Sequence, residues 1–152
     1  MADEGLSHAT LCQIAFVVDD IEKAAKAWAA VLGLPTPGWS MVDPYETSHA
    51  QYKGKPTAAR AKMAFFQLGS MAIELIEPVG GPSTWRDDLG AGGSRIHHIA
   101  FQVKDAEQAT QCLERQGIRV VQTGDYPGGR YVYLDAVSHL GTVLELLATR
   151  QG

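Results

Sequence analysis

Four side chains able to hold a cation recur at matched places in two halves of the 152-residue chain. The segment QIAFVVDDIEKAA, starting at Gln13, aligns with HIAFQVKDAEQAT, starting at His98, at a constant offset of 85 positions. Ile14, Ala15, Phe16, Val18, Asp20, Glu22 and Ala24 recur as Ile99, Ala100, Phe101, Val103, Asp105, Glu107 and Ala109. A second pair, MAIELIEP at 71–78 and TVLELLAT at 142–149, sets Glu74 against Glu145 between apolar neighbours. One imidazole, two carboxylates and one amide oxygen form a mostly oxygen shell without sulfur. Such a shell suits one divalent ion, Zn, Ni, Co, Mn or Fe, in a five- or six-coordinate site with room for water or substrate. The two glutamate charges would neutralise it.

Strand parity supplies the reason to expect convergence. Alternate residues of a strand share a face, so Ile14, Phe16 and Val18, with Ile99, Phe101 and Val103, form the apolar face expected to pack on helices. Gln13 and His98 then lead the opposite face. Ile73 and Leu75, with Leu144 and Leu146, likewise leave Glu74 and Glu145 on the concave side. A carboxylate buried between apolar neighbours needs a cation or a hydrogen-bond network. Taken singly, Gln13 reads as a strand-end polar residue and either glutamate as a sheet-edge residue; the joint placement at repeat-equivalent positions carries the metal expectation. Parity turns His97 toward the helix layer. Tyr131 and Tyr133 share a face and either line the pocket or pack the core, while Asp135 and His139 read as turn residues.

The elements that must position these residues are an α+β set, two tandem βαβββ modules curled into a cup. One domain over 1–152 is expected, with module 1 at about 11–78, a linker at 79–95 and module 2 at about 96–149. Asp19 with Glu22 and Asp105 with Gln108 fit capping boxes opening helices over about 20–32 and 106–116, with Gly33 and Gly117 as left-handed terminators. The first helix carries an apolar stripe of Ile21, Ala24, Ala25, Trp28, Val31 and Leu32, the second one of Ala106, Ala109, Cys112 and Leu113. Strands are expected around 49–53, 61–68 and 71–77, then 118–122, 129–135 and 142–148. Residues 35–60, broken by prolines and glycines, read as a long irregular connection that covers a site or simply lies in solvent. Ser83 offers the N-cap of a short linker helix.

Composition narrows the partners. With 13 Lys and Arg against 17 Asp and Glu, the net charge is −4, and no basic block is present to engage phosphates. Nucleic acid is not an expected partner. No apolar stretch approaches the roughly 18 residues that cross a bilayer, and MADEGLSHATL has no basic n-region or apolar h-region. No membrane partner is expected, and a cytoplasmic location is. Cys12 and Cys112 show no CxxC spacing and read as buried, reduced thiols.

At these residues the sequence resembles the vicinal oxygen chelate superfamily, in which paired βαβββ modules form a cup around a metal. The resemblance runs from about Leu11 to Thr149. IHHIAFQV at 96–103, GTVLELLA at 141–148 and IELIEP at 73–78 look most like the methylmalonyl-CoA epimerase branch and the glyoxalase I-like lyases. It implies metal ligands at Gln13, Glu74, His98 and Glu145, a ligand set similar to that of some glyoxalase I enzymes. The epimerases have a further acidic residue on the third strand of the first half, where AKMAFFQ at 61–67 has no carboxylate. The implied chemistry is proton transfer beside a metal-chelated carbonyl, with Glu74 and Glu145 as catalytic base and conjugate acid. An isomerase, epimerase or lyase acting on a small acid, thioester or 2-oxo compound is the leading expectation. A non-haem iron ring-cleaving dioxygenase and a metal-free small-molecule binding or resistance protein are the alternatives, and related folds often pair as homodimers.

Overall fold

The computed structural model describes residues 4–150. The first half runs β1 (Thr10–Val17), α1 (Ile21–Leu32), β2 (Ser40–Met41), α2 (Tyr45–Ser48), β3 (Gln51–Tyr52), β4 (Lys55–Pro56), β5 (Arg60–Leu68) and β6 (Met71–Val79). After α3 (Thr84–Gly92), the second half runs β7 (Arg95–Gln102), α4 (Ala106–Arg115), β8 (Arg119–Tyr126), β9 (Gly129–Ala136), α5 (Val137–Leu140) and β10 (Thr142–Thr149). All ten strands form one sheet in the order β2-β5-β6-β1-β7-β10-β9-β8-β3-β4, curled into a half-barrel. β1 and β7 run antiparallel at its centre, and each has the last long strand of its own half as a parallel neighbour, β6 for β1 and β10 for β7. Outward from this centre the two halves repeat the same order of strands.

The helices form as their sequences dictate, with two differences. The first helix is capped by Asp20, whose side chain accepts from Lys23 N, and not by Asp19; the backbone N–H of Asp19 donates to Ser94 Oγ instead. Asp105 caps α4 as expected, accepting from Gln108 N. The buried stripe of α1 is Ile21, Ala25 and Ala29, with Ala24, Trp28 and Leu32 beside it. Val31 is 81% exposed, because the packed stripe lies on the side of the helix turned toward Phe16, Ala64, Phe66 and Leu75. Gly33 ends α1 at φ 68°, a backbone setting glycine reaches without steric cost.

Two apolar layers lie on the convex side, α1 over β5 and β6, and α4 over Val132, Leu134, Leu144 and Leu146 with Ile99 and Phe101. A third core fills one end of the concave side. There Trp85 of α3, fully buried, packs among Ala15, Val17, Ala61, Ile76, Tyr131, Tyr133 and Val143. The linker helix expected from Ser83 therefore plugs the cup, and Ser83 Oγ accepts from Arg86 N at its start.

The connection over 35–60 departs most from expectation. Ser40–Met41, unmarked in the sequence, pairs with β5 and supplies the outer strand of the first half. The strand expected at 49–53 forms only at Gln51–Tyr52, and it pairs with Gln122 and Thr123 of β8, in the other half. An outer strand offers free N–H and C=O groups to any chain that reaches it, and this hairpin takes them: Lys53 N donates to Val121 O at 2.8 Å. The Tyr52 hydroxyl bonds Asp87 of α3, and His49 Nδ1 lies 3.1 Å from Asp125 Oδ2 of β8. Among the described residues, no helix is long and apolar enough to cross a membrane.

Candidate metal centre

The central strands carry two register shifts, and each falls beside a residue singled out by the repeat. Between Leu11 and Gln13 the shift leaves Cys12 unpaired in β1; between the pairs Ala15–His98 and Phe16–Ile96 it leaves His97 unpaired in β7. Bulges re-aim side chains and recur next to functional sites. Because of the second bulge, His97 does not turn to the helix layer as simple alternation requires. It is buried on the α3 side of the sheet, its ring 5.2 Å from that of Tyr133.

Gln13, Glu74, His98 and Glu145 meet at one point. His98 Nε2 lies 2.9 Å from Glu145 Oε2, 3.5 Å from Glu74 Oε2 and 3.4 Å from Gln13 Oε1. His98 is fully buried and each glutamate is 4% exposed. The register explains the meeting: Ala15 is the parallel partner of Glu74 and the antiparallel partner of His98, while Glu145 pairs with Ala100. Small residues at 15 and 100 keep the centre of the cup open for the longer side chains around it.

The donor set fits a divalent ion. With its nitrogen turned inward, the Gln13 amide donates to Glu145 Oε2 at 3.0 Å and Glu74 Oε2 at 2.9 Å. With its oxygen inward, that end opposes two carboxylate oxygens, an arrangement made favourable by a cation among them. Bonds of about 2.1 Å to N and O ligands place neighbouring ligands roughly 3.0 Å apart in an octahedron and 3.4 Å apart in a tetrahedron. The separations of 2.9 to 3.5 Å about His98 Nε2 lie close to those values.

Electrostatics points the same way. Burial, and then the charge of Glu145, hold the Glu74 carboxyl well above the usual carboxylate range. Burial pushes Glu145 up to about 8, against the hydrogen bond from Tyr133 that favours its ionised form. Burial lowers His98 to about 3. The 2.9 Å contact between His98 and Glu145 is therefore a hydrogen bond of a neutral imidazole at neutral pH, and no salt bridge offsets the crowding of two carboxyl groups. A divalent ion would stabilise both carboxylates in their charged forms.

The surroundings are mainly core. Tyr133 packs its ring 4.9 Å from that of His98 and accepts a hydrogen bond from Trp85 Nε1 at 3.1 Å. Tyr131, whose ring lies over Gly124, accepts from Gln122 Nε2. Both tyrosines thus pack the core, and Tyr133 also bounds the centre. On β5 the residues facing the cup alternate as Ala61, Met63, Phe65 and Gln67, with Phe65 directly opposite Glu74. Asp135 lies within β9, paired with Val143 and Arg119, and its side chain accepts from Val137 N at the start of α5. Cys112 is buried, whereas Cys12, lifted out of register at its bulge, is only half-buried; neither sulfur is in a disulfide. Trp85 and Gln122 lie outside the two aligned pairs of segments, and the bulged His97 aligns with Cys12, a residue of different chemistry, so the repeat gave no signal for any of the three. A surface cavity of about 770 Å³ lies between residues 4–9 and α4, away from this centre.

Known proteins share this architecture. Residues 12–134 match the model of the Glyoxalase/Bleomycin resistance protein/Dioxygenase superfamily, and the chain belongs to that superfamily, also called vicinal oxygen chelate. The uncharacterized protein YqjC of Bacillus subtilis (strain 168) is 36% identical over 62 residues, which span 41% of this chain and 44% of that protein. Among solved structures, the hypothetical protein BH1468 from Bacillus halodurans C-125 is similar at a TM-score of 0.66 and 23% identity, over 95% of this chain and 96% of that one. Methylmalonyl-CoA epimerase from Mycobacterium tuberculosis is similar at a TM-score of 0.62 and 19% identity, over 93% and 88%. A variant of 4-hydroxymandelate synthase from Streptomyces coelicolor reaches 0.61 at 14% identity, over 95% of this chain and 50% of that one. At these identities the likeness is one of fold.

Proposed function

We propose that the chain is a metal-dependent enzyme that transfers a proton at a carbon next to a chelated carbonyl or carboxylate oxygen, as an isomerase, epimerase or lyase. The supporting observation is the meeting of Gln13 Oε1, Glu74 Oε2, His98 Nε2 and Glu145 Oε2, two buried carboxyls among them with no Lys or Arg partner among the described residues. A divalent ion held there supplies Lewis acidity that favours negative charge on a chelated substrate oxygen.

The chain's own residues supply the rest. Glu74 and Glu145 approach the centre from opposite halves, so one takes a proton from the substrate carbon while the other returns it on the far side or at a neighbouring atom. Trp85 and α3 close one end of the cup, leaving substrate to approach from the other, past Phe65 and the half-exposed Tyr126. The chain shares its fold with a methylmalonyl-CoA epimerase, which makes acyl-CoA thioesters one class to test beside 2-oxo acids and hemithioacetals. A ring-cleaving dioxygenase has less support, because an amide stands at residue 13 where a two-histidine iron site needs its second imidazole.

The deciding experiment is deuterium exchange. Candidate 2-oxo acids, hemithioacetals and acyl-CoA thioesters are incubated in D2O with protein loaded in turn with Zn, Ni, Co, Mn and Fe(II), and deuterium is followed at the carbon beside the carbonyl. Exchange that requires added metal supports the reading. Oxygen consumption with Fe(II) and no exchange transfers the assignment to a dioxygenase, and absence of both with every metal rejects enzymatic proton transfer on these substrate classes.

A further inference from the structure

The bulge at His97 places its Nδ1 atom 2.7 Å from Nδ1 of His98, while His97 Nε2 lies 3.0 Å from Thr84 Oγ1. Both rings are buried. Thr84 Oγ1 in turn donates to Gln122 Oε1 at 3.3 Å, which also accepts from Thr84 N at 2.9 Å, and Gln122 Nε2 donates to the Tyr131 hydroxyl at 3.2 Å. The chain of contacts links the centre of the sheet to the first turn of α3 and to β8.

Two facing Nδ1 atoms at this distance share one proton, so one ring must donate and the other accept. Resting on the metal reading above, His98 spends the lone pair of Nε2 on the cation. Its proton is then on Nδ1, and His97 must accept there. That acceptance puts the His97 proton on Nε2, which donates to Thr84 Oγ1, and leaves the threonine hydroxyl to donate to Gln122. Every buried polar atom of the series then has a partner of the right kind, in one direction throughout. Metal-binding histidines are commonly oriented by an acceptor on the second ring nitrogen, and loss of that acceptor typically weakens metal affinity about 10–100-fold.

We propose that His97 is a positioning residue that holds His98 in the Nδ1–H tautomer and so presents Nε2 to a cation, anchored in turn by Thr84 and Gln122. This role explains why a polar side chain occupies a fully buried bulge position that an apolar residue would fill at lower cost.

The test uses the whole protein, zinc and two variants. In zinc-loaded protein labelled with 15N at the histidine rings, long-range 1H–15N spectra should show the proton of His98 on Nδ1 and that of His97 on Nε2. His97→Phe keeps a ring but removes the acceptor and should weaken zinc binding about 10–100-fold, with the melting temperature of metal-free protein reporting that the fold survives. His97→Asn restores an acceptor near the same place and should recover a large part of that loss. A His97 proton on Nδ1 in the loaded wild type, or zinc affinity within about two-fold of wild type in folded His97→Phe, overturns this inference and leaves the metal reading standing. Wild-type protein that takes up no zinc overturns both together.

Discussion

Gln13 and His98, 85 positions apart and each within the first strand of its half, bring Oε1 and Nε2 to 3.4 Å across the central strand pair. A cation held between them and the two glutamates would take an electron pair from each of the four side chains. The expected stoichiometry is one divalent ion per chain, measured by elemental analysis of protein purified without chelators and by titration. Saturation at 100-fold above Kd stabilises by about 2.7 kcal/mol, which for a chain of this size raises the melting temperature by roughly 5–10 °C. His98→Ala should weaken binding by more than the roughly 10–100-fold that follows loss of an outer partner. Protein that is metal-free as isolated, and whose melting temperature is unmoved by Zn, Ni, Co or Mn, would refute the expectation.

Stability of the metal-free protein should fall as pH rises from about 6.5 to 8. Glu145 titrates at about 8 in the folded chain against 4.5 as its ordinary value, and Glu74 is displaced in the same direction. The folded state therefore binds more protons than the unfolded state across that window, and the stability these groups contribute is lost as pH rises through the folded value. His98, lowered to about 3, works in the opposite sense, but its contribution is complete above the ordinary histidine value near 6.5. The net loss from pH 6.5 to 8 is on the order of 1–2 kcal/mol, visible in urea titrations at several pH values. Saturating zinc should flatten the slope, because the carboxylates are then charged throughout; a slope of equal size with zinc bound would assign the effect to other groups.

Gly124 tests the packing that encloses the site from β9. A Cβ built there meets the Tyr131 ring and hydroxyl at 2.6 to 2.7 Å, and the ring is held by its own contact with Gln122. Gly124→Ala should therefore destabilise by about 1–3 kcal/mol, the usual cost of overfilling a packed interior, and should do so without altering metal stoichiometry. An alanine variant as stable as wild type would mean that Tyr131 can move aside freely.

The centre was legible because the chain repeats itself: Gln13 with His98, and Glu74 with Glu145, hold matched places, and strand alternation puts all four on the concave face. The cup followed from the same repeat. His97 was misplaced because alternation holds only while the register is unbroken, and the bulge arises from pairing with β1, a partner 80 residues earlier in the chain. The same cause hid the pairing of Gln51 and Tyr52 with β8: short polar strands have no periodicity to read, and their partner is chosen by which edge is open. Asp20 displaced Asp19 as the cap because two adjacent acids satisfy the same pattern, and only the backbone turn selects between them.

The two glutamates offer the sharpest separation of binding from chemistry. Glu74→Gln and Glu145→Gln each keep an oxygen donor at the centre while removing the basicity of that side chain. Metal should largely remain, and metal-dependent deuterium exchange should fall about 100- to 10,000-fold, the usual worth of a general base. The two variants need not fall equally. Glu145 has the Tyr133 hydroxyl hydrogen-bonded beside it, which orients the carboxylate, whereas burial and the charge of Glu145 act on Glu74. Glu145→Gln should therefore produce the larger loss where proton abstraction limits the rate. Equal metal content with undiminished exchange in both single variants and in the double variant would remove Glu74 and Glu145 as bases and leave them as ligands alone.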